Sequence, residues 1–389
     1  MAPVPLPAGF SAHVANVGIK DSSEDFALVV ADKPCVASAL YTKSRFAGPS
    51  VKISRDHSAD GILQAVAVVS KNANVATGAA GDRDAAELAS LVATATSCEE
   101  RDVLLASTGV IGVPYPMGRI RDHMSKLSKP LEEVDASRVA TAMMTTDTHP
   151  KVATATLPAM GGGTASIVGV AKGVGMIEPD MATMLAFVFT DADVPPMELD
   201  DGFRQVVDRT FNSLSVDTDT STSDTAALLA SGAAGVVDTH AFNLELAAVC
   251  TELTRQLAFD GEGATKLLVV DATGASDDAQ AKRVAKAVLN SPLVKTAVHG
   301  ADPNWGRVVM AVGKCSDDTD IHQDRVRVSF GDQDVYPTAA GADLAALEGY
   351  LSGEEVHIRV DLGIGNAHWR VYGCDLSDGY VRINADYTT

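Results

Sequence analysis

The chain has 389 residues, 46% of them hydrophobic, which is enough apolar surface for more than one core and excludes a wholly disordered chain. Asp and Glu number 51 against 31 Lys and Arg, a formal charge of −20, so nucleic acid and anionic membrane are poor candidates for the main partner. Five cysteines, Cys35, Cys98, Cys250, Cys315 and Cys374, stand far apart with no CxxC pair, which argues against a disulfide framework and a thiolate zinc site.

In chain order, β-rich runs alternate with amphipathic helical patterns, the mark of an α/β or α+β fold. Strands are expected at Phe26–Ala31, Val36–Thr42, Ala65–Ser70 and Val103–Ser107, and helices at Asp84–Thr94, Met117–Leu127 and Ala136–Met144. Lys151–Leu157 and Ala165–Ala171 read as a hairpin joined by Gly161, Gly162 and Gly163. Met184–Phe189 is almost continuously apolar, as a strand buried on both faces must be. Helices are expected next at Met197–Phe211, Ser223–Leu229 and Phe242–Ala258, then a strand at Lys266–Asp271 and a helix at Asp277–Leu289. The remainder reads as strands at Arg325–Phe330, Glu355–Asp361, His368–Cys374 and Tyr380–Asn384, with a domain shift near residues 275–315. The first residues carry no basic and apolar leader pattern, and no apolar run reaches 18 residues. A soluble, reduced, cytoplasmic protein without a membrane partner is therefore expected.

The stretch Lys172-Gly-Val-Gly-Met-Ile-Glu-Pro-Asp-Met-Ala-Thr-Met-Leu185 lies between two apolar strands. Its glycines relax the backbone, Pro179 restricts it, and a small residue, Ala182, precedes Thr183 at the start of the buried strand. Attack of the Thr183 hydroxyl on the Ala182 carbonyl, an N→O acyl shift, followed by hydrolysis would free the Thr183 amine. An α-amine titrates near pKa ~7.7–8.0, so it can take the proton of its own hydroxyl and serve as the base for a nucleophile on the same residue. No histidine triad or GxSxG elbow competes with this reading. Taken by spacing alone, an Ala-Thr pair before a strand is usually plain backbone.

These residues resemble the self-cleavage motif of the ornithine acetyltransferases, the glutamate N-acetyltransferase family of arginine biosynthesis. Further blocks match along the chain: NANVATG at 72–78, ASTGVIG at 106–112, MTTDT at 144–148, DTDTSTSD at 217–224, DGEGATK at 260–266, SPLVKTA at 291–297, DPNWGR at 302–307 and the closing INADYTT. The likeness is greatest to the paralogue of clavulanic-acid gene clusters, which shares Glu-Pro-Asp before Met-Ala-Thr. The commoner family text has His-Pro-Asn or similar where this chain has Glu178-Pro179-Asp180.

The resemblance implies a layered α/β sandwich of the self-processing amidase type with a smaller C-terminal α/β domain from about residue 285. It implies cleavage between Ala182 and Thr183 into an alpha fragment, 1–182, and a beta fragment, 183–389, associating as two of each. Thr183 would carry an acetyl group from N2-acetyl-L-ornithine to L-glutamate, with Thr108 and Gly109 as the oxyanion hole. Thr145, Lys172, Thr183, Glu262, Asn384 and Thr389 would contact substrate. Lys172 suits a carboxylate and would also lower the pKa of the new amine, Glu262 suits an ammonium group, and Thr145 and Asn384 suit neutral hydrogen bonds. The alternative within the same architecture is an N-terminal-threonine amidase or aminopeptidase that uses water as acceptor. No cofactor and no metal are expected. The 217–224 block reads as a turn and helix N-cap rather than a cation loop. Trp305 reads as packing, Arg307 as half of a buried ion pair, and His299 as structural.

Overall fold

The computed structural model describes residues 3–19, 22–131, 134–178, 184–337 and 344–386. Its first sheet contains β1 (Phe10–Ala15), β2 (Phe26–Tyr41), β3 (Ile62–Val69), β4 (Val103–Ser107), β5 (Lys151–Pro158), β6 (Thr164–Lys172) and β7 (Leu185–Asp193). The second contributes β8 (Leu214–Ser215), after which β9 (Thr225–Val236) returns to the first. Strands β10 (Leu267–Ala275), β11 (Arg327–Phe330), β12 (Gln333–Tyr336), β13 (Glu355–Asp361) and β14 (Ala367–Cys374) complete the second sheet. The helices are α1 (Pro49–His57), α2 (Gly78–Thr96), α3 (Met117–Met124), α4 (Ala136–Met143), α5 (Pro196–Arg209) and α6 (Thr239–Phe259). They continue with α7 (Asp278–Leu289), α8 (Pro292–His299), α9 (Trp305–Gly313), α10 (Leu344–Leu351) and α11 (Asp378–Asp386).

Strand β2 organises the first sheet. Its first half pairs with β1 on one side and β3 on the other. Past a register shift between Val30 and Cys35, its second half pairs with β9. The two expected strands, Phe26–Ala31 and Val36–Thr42, are thus one strand shared by two half-sheets. The half-sheets face each other: Ala27, Val29, Val66 and Val68 share one core cluster with Val168, Val170, Phe187, Phe189, Ala227 and Leu229. The rings of Phe10 and Phe189 meet across it at 5.3 Å. Helices α2 and α3 cover the outside of the β1–β4 half, and α5 and α6 cover the β5–β9 half.

Side-chain alternation then builds the outer layers. Leu267 and Val269 of β10 join the core around α6, while Leu268, Val270 and Ala272 face α7, α8 and α9. The result is the layered α/β sandwich with a smaller α/β unit beside it. The second sheet's β10 begins at Leu267, and β8 (Leu214–Ser215) joins that sheet at its edge by pairing with β14.

Two expectations fail. Ser223–Leu229 was expected as helix, but Thr225–Val236 is strand β9, hydrogen-bonded between β2 and β7. Tyr380–Asn384 was expected as strand and lies in helix α11. The 217–224 block accordingly caps no helix. Instead the Asp217 carboxylate accepts from the Met176 and Ile177 amides at 2.6 and 2.7 Å.

Candidate active site

Several element ends meet at one edge of the half-sheets. Strand β6 ends at Lys172, which pairs with Leu185 at the start of β7; Leu185 pairs in turn with Thr225 at the start of β9. Strand β4 ends just before Thr108. The loop after α4 carries Thr145, Thr146 and Asp147, the turn after α6 carries Glu262, and α11 carries Asn384. A single cavity here is lined by Thr108, Gly109, Thr145, Lys172, Glu262 and Asn384, with Met184, Gly175 and Asp224 among its other walls.

The walls differ in charge. On one side the Lys172 ammonium donates to Thr108 Oγ1 at 3.2 Å. Burial pulls the Lys172 pKa below its ordinary value; Asp147 opposes this, Lys151 adds to it, and Asp224 and Glu262 oppose it. Thr108 spends its N–H on Val69 O at 3.0 Å, so its hydroxyl is the group it offers the cavity. Gly109 sits at φ +127 with its Cα against the backbone of the next strand end, where a Cβ would come within 2.2 Å of Lys71 C; no other residue fits. On the other side Glu262 accepts from Asn384 Nδ2 at 2.9 Å and from Thr146 Oγ1 at 3.4 Å. Its carboxylate lies over Gly175, where a Cβ would be 2.5 Å from Oε2. Lys172 with Glu262 and Asp224 in one cavity suits a small molecule that carries both an ammonium and a carboxylate group.

Behind the cavity stands a group that spacing did not reveal. Lys151 is fully buried between Asp147 at 2.8 Å and Asp260 at 2.5 Å. Burial would raise the Asp147 carboxyl, but the charges of Lys172 and Lys151 and the bonds from Lys151 and Gly173 hold it at about 2. Asp147 belongs to the MTTDT block and Asp260 to DGEGATK, but 109 residues separate Lys151 from Asp260, so no local pattern joins them.

Ala182, Thr183 and Thr389 lie outside the described residues. Glu178, where the chain departs from the commoner family text, accepts from Asn290 Nδ2 at 2.7 Å, Ser215 Oγ at 3.2 Å and Lys286 Nζ at 3.3 Å, tying this segment to the second sheet and α7. His299 Nδ1 lies 2.7 Å from the buried Asp375 carboxylate. Trp305 packs on Tyr336 at 5.3 Å. Arg307 departs from expectation: its guanidinium donates to Leu293 O and Thr296 Oγ1 of α8 rather than to a carboxylate.

The fold and the cavity define a layered α/β protein with a charged cavity at the edge of its half-sheets. The pattern of the ArgJ family matches residues 11–389, and the chain belongs to that family. It is 53% identical to "Glutamate N-acetyltransferase Oat2" of Streptomyces clavuligerus over 98% of both chains. It is also 53% identical to "Arginine biosynthesis bifunctional protein ArgJ" of Rhodococcoides fascians, over 98% of this chain and 94% of that one. Among solved structures, the crystal structure of the arginine biosynthesis bifunctional protein ArgJ from Bacillus halodurans is 39% identical. It matches with a TM-score of 0.50, over 53% of this chain and 100% of that one. Among the described residues, no helix is long and apolar enough to cross a membrane.

Proposed function

We propose that this chain is an acetyltransferase that moves an acetyl group from N2-acetyl-L-ornithine to L-glutamate, in arginine biosynthesis or related secondary metabolism. It first cuts itself between Ala182 and Thr183, and Thr183 then carries the acetyl group. One observation supports the reading above all: Thr108, Gly109, Thr145, Lys172, Glu262 and Asn384, drawn from distant parts of the chain, line one cavity with Met184, the residue bonded to Thr183. The solved Bacillus halodurans chain is matched throughout by 53% of this one, and residues 183–389 would be a piece of the same share.

The chemistry follows from those groups. The Thr183 hydroxyl attacks the acetyl carbonyl and its proton passes to the Thr183 amine. Negative charge collects on the former carbonyl oxygen, where the Thr108 hydroxyl and Gly109 N–H donate; removing one such donor typically costs about 10²–10³ in turnover. The amide C–N bond breaks, the ornithine nitrogen takes the proton, and ornithine leaves acetyl-Thr183 behind. The glutamate amine attacks this ester and regenerates the hydroxyl. Lys172 holds a substrate carboxylate, Glu262 an ammonium group, and Thr145, Asn384 and the terminal Thr389 fix orientation. Donor and acceptor use one site in turn, without a cofactor. The fragments work as two of each in the cytoplasm.

Ornithine release from N-acetylornithine, assayed with and without glutamate, tests the reaction. The proposal expects sustained release and N-acetylglutamate only with glutamate present. Equal release in its absence would instead make the enzyme an amidase using water.

A further inference from the structure

The two carboxylates that share Lys151 differ in what else they hold. Asp147 Oδ1 accepts from Lys151 Nζ at 2.8 Å and from the Gly173 amide at 2.7 Å, and its Oδ2 accepts from the Thr145 amide at 3.0 Å. One fully buried carboxylate thus ties the start of β5, the residue after Lys172 and the loop that carries Thr145. Asp260 turns the other way. Its oxygens take Lys151 Nζ, the Thr148 amide at 3.1 Å and the Thr148 hydroxyl, with His149 Nδ1 at 3.6 Å. None of Lys151, Thr148 and His149 lines the cavity.

The charge count adds to the asymmetry. Two carboxylates on one ammonium leave a surplus negative charge inside the protein, and the buried Lys172 faces it. The charged groups acting on Lys172 are Asp147, Lys151, Asp224 and Glu262. Without Asp147, burial and Lys151 would both oppose the Lys172 charge, with Asp224 and Glu262 left to favour it.

We propose that Asp147 is a positioning residue of the acetyl-transfer site: it sets the Thr145 backbone and the Lys172–Gly173 junction and keeps the Lys172 ammonium charged, whereas Asp260 anchors Lys151 and Thr148, which do not line the cavity. This rests on the acetyltransferase reading, in which Lys172 holds a substrate carboxylate. Asp147→Asn and Asp260→Asn form the test, because each leaves Lys151 with one carboxylate and no unpaired charge. The alkaline limb of kcat/KM reports Lys172 in the free enzyme. In Asp147→Asn it moves to lower pH by about one unit or more, and the KM for N-acetylornithine rises. In Asp260→Asn the melting temperature falls and the limb stays in place. An unmoved limb in Asp147→Asn, or an equal displacement in Asp260→Asn, overturns the proposal. Lys172→Gln, which leaves the Lys151 hydrogen bonds to Asp147 and Asp260 in place, covers the case in which Asp147→Asn does not fold: the limb must vanish, and its persistence overturns the proposal as well. Calorimetric binding of L-ornithine across the same pH range repeats the comparison without turnover. A wild-type enzyme that transfers no acetyl would defeat the acetyltransferase reading, while the binding comparison would still judge Asp147.

Discussion

Replacing Lys172 by Met removes the cation from one wall of the cavity while leaving its apolar stem. A charged hydrogen bond lost to a substrate carboxylate lowers kcat/KM by about 10- to 100-fold. The effect falls on acetylornithine and glutamate alike, because both visit the same site; steady-state kinetics with each substrate varied in turn reads it, and a change confined to one substrate would separate their sites. Asp147 makes a second prediction at this scale, in acid. Its folded-state pKa of about 2 lies below the ordinary 3.8, so its contribution to stability is complete above the unfolded value and is lost as pH falls through the folded one. That contribution is roughly 2 to 3 kcal/mol. Urea midpoints measured from pH 5 to pH 2 should therefore fall less steeply in Asp147→Asn than in the wild type, and parallel curves would show that the buried carboxylate is not held in this way.

At the scale of elements, the Gly173–Gly175 turn after β6 exists to let the Glu262 carboxylate lie across it. Gly175→Ala puts a methyl 2.5 Å from Glu262 Oε2, and the side chain must swing away. An approximately tenfold rise in KM with little change in melting temperature is expected, about 1.4 kcal/mol lost from binding; an unchanged KM would mean that Glu262 does not touch substrate. The same scale shows what local pattern reveals. The glycine-turned hairpin β5–β6 and helix α7, opened by Asp277 accepting from the Gln280 amide at 2.8 Å, were legible because turn and cap chemistry agree with the tertiary structure. Strand β9 was not: Thr-Ala-Ala-Leu-Leu-Ala is rich in helix formers, and only burial between β2 and β7 makes it a strand. Helix α11 buries no side chain, so no apolar face announces it, and the Asn384–Glu262 bond ties it to the site. Lys172, Glu262 and Asn384 were legible through whole sequence blocks. The Asp147–Lys151–Asp260 group was not, because the chain meets itself there only after folding.

For the whole molecule, a cut after Ala182 would fall between strands that remain paired. β6 precedes the cut and β7 follows it, yet they hydrogen-bond from Ile167–Thr190 to Lys172–Leu185, and β2 pairs with β9 in the same way. Two of the three cores around this sheet draw residues from either side of the cut. The two fragments are therefore expected to elute together in native gel filtration and to part only in denaturant; separation without denaturant would contradict the shared sheet. The most direct measurement is mass spectrometry of the active enzyme quenched in acid during turnover of N-acetylornithine with a deuterated acetyl group. Two polypeptides are expected, the second beginning at Thr183 and bearing the labelled acetyl on that residue. A fully active, uncut chain with no label on Thr183 would contradict it.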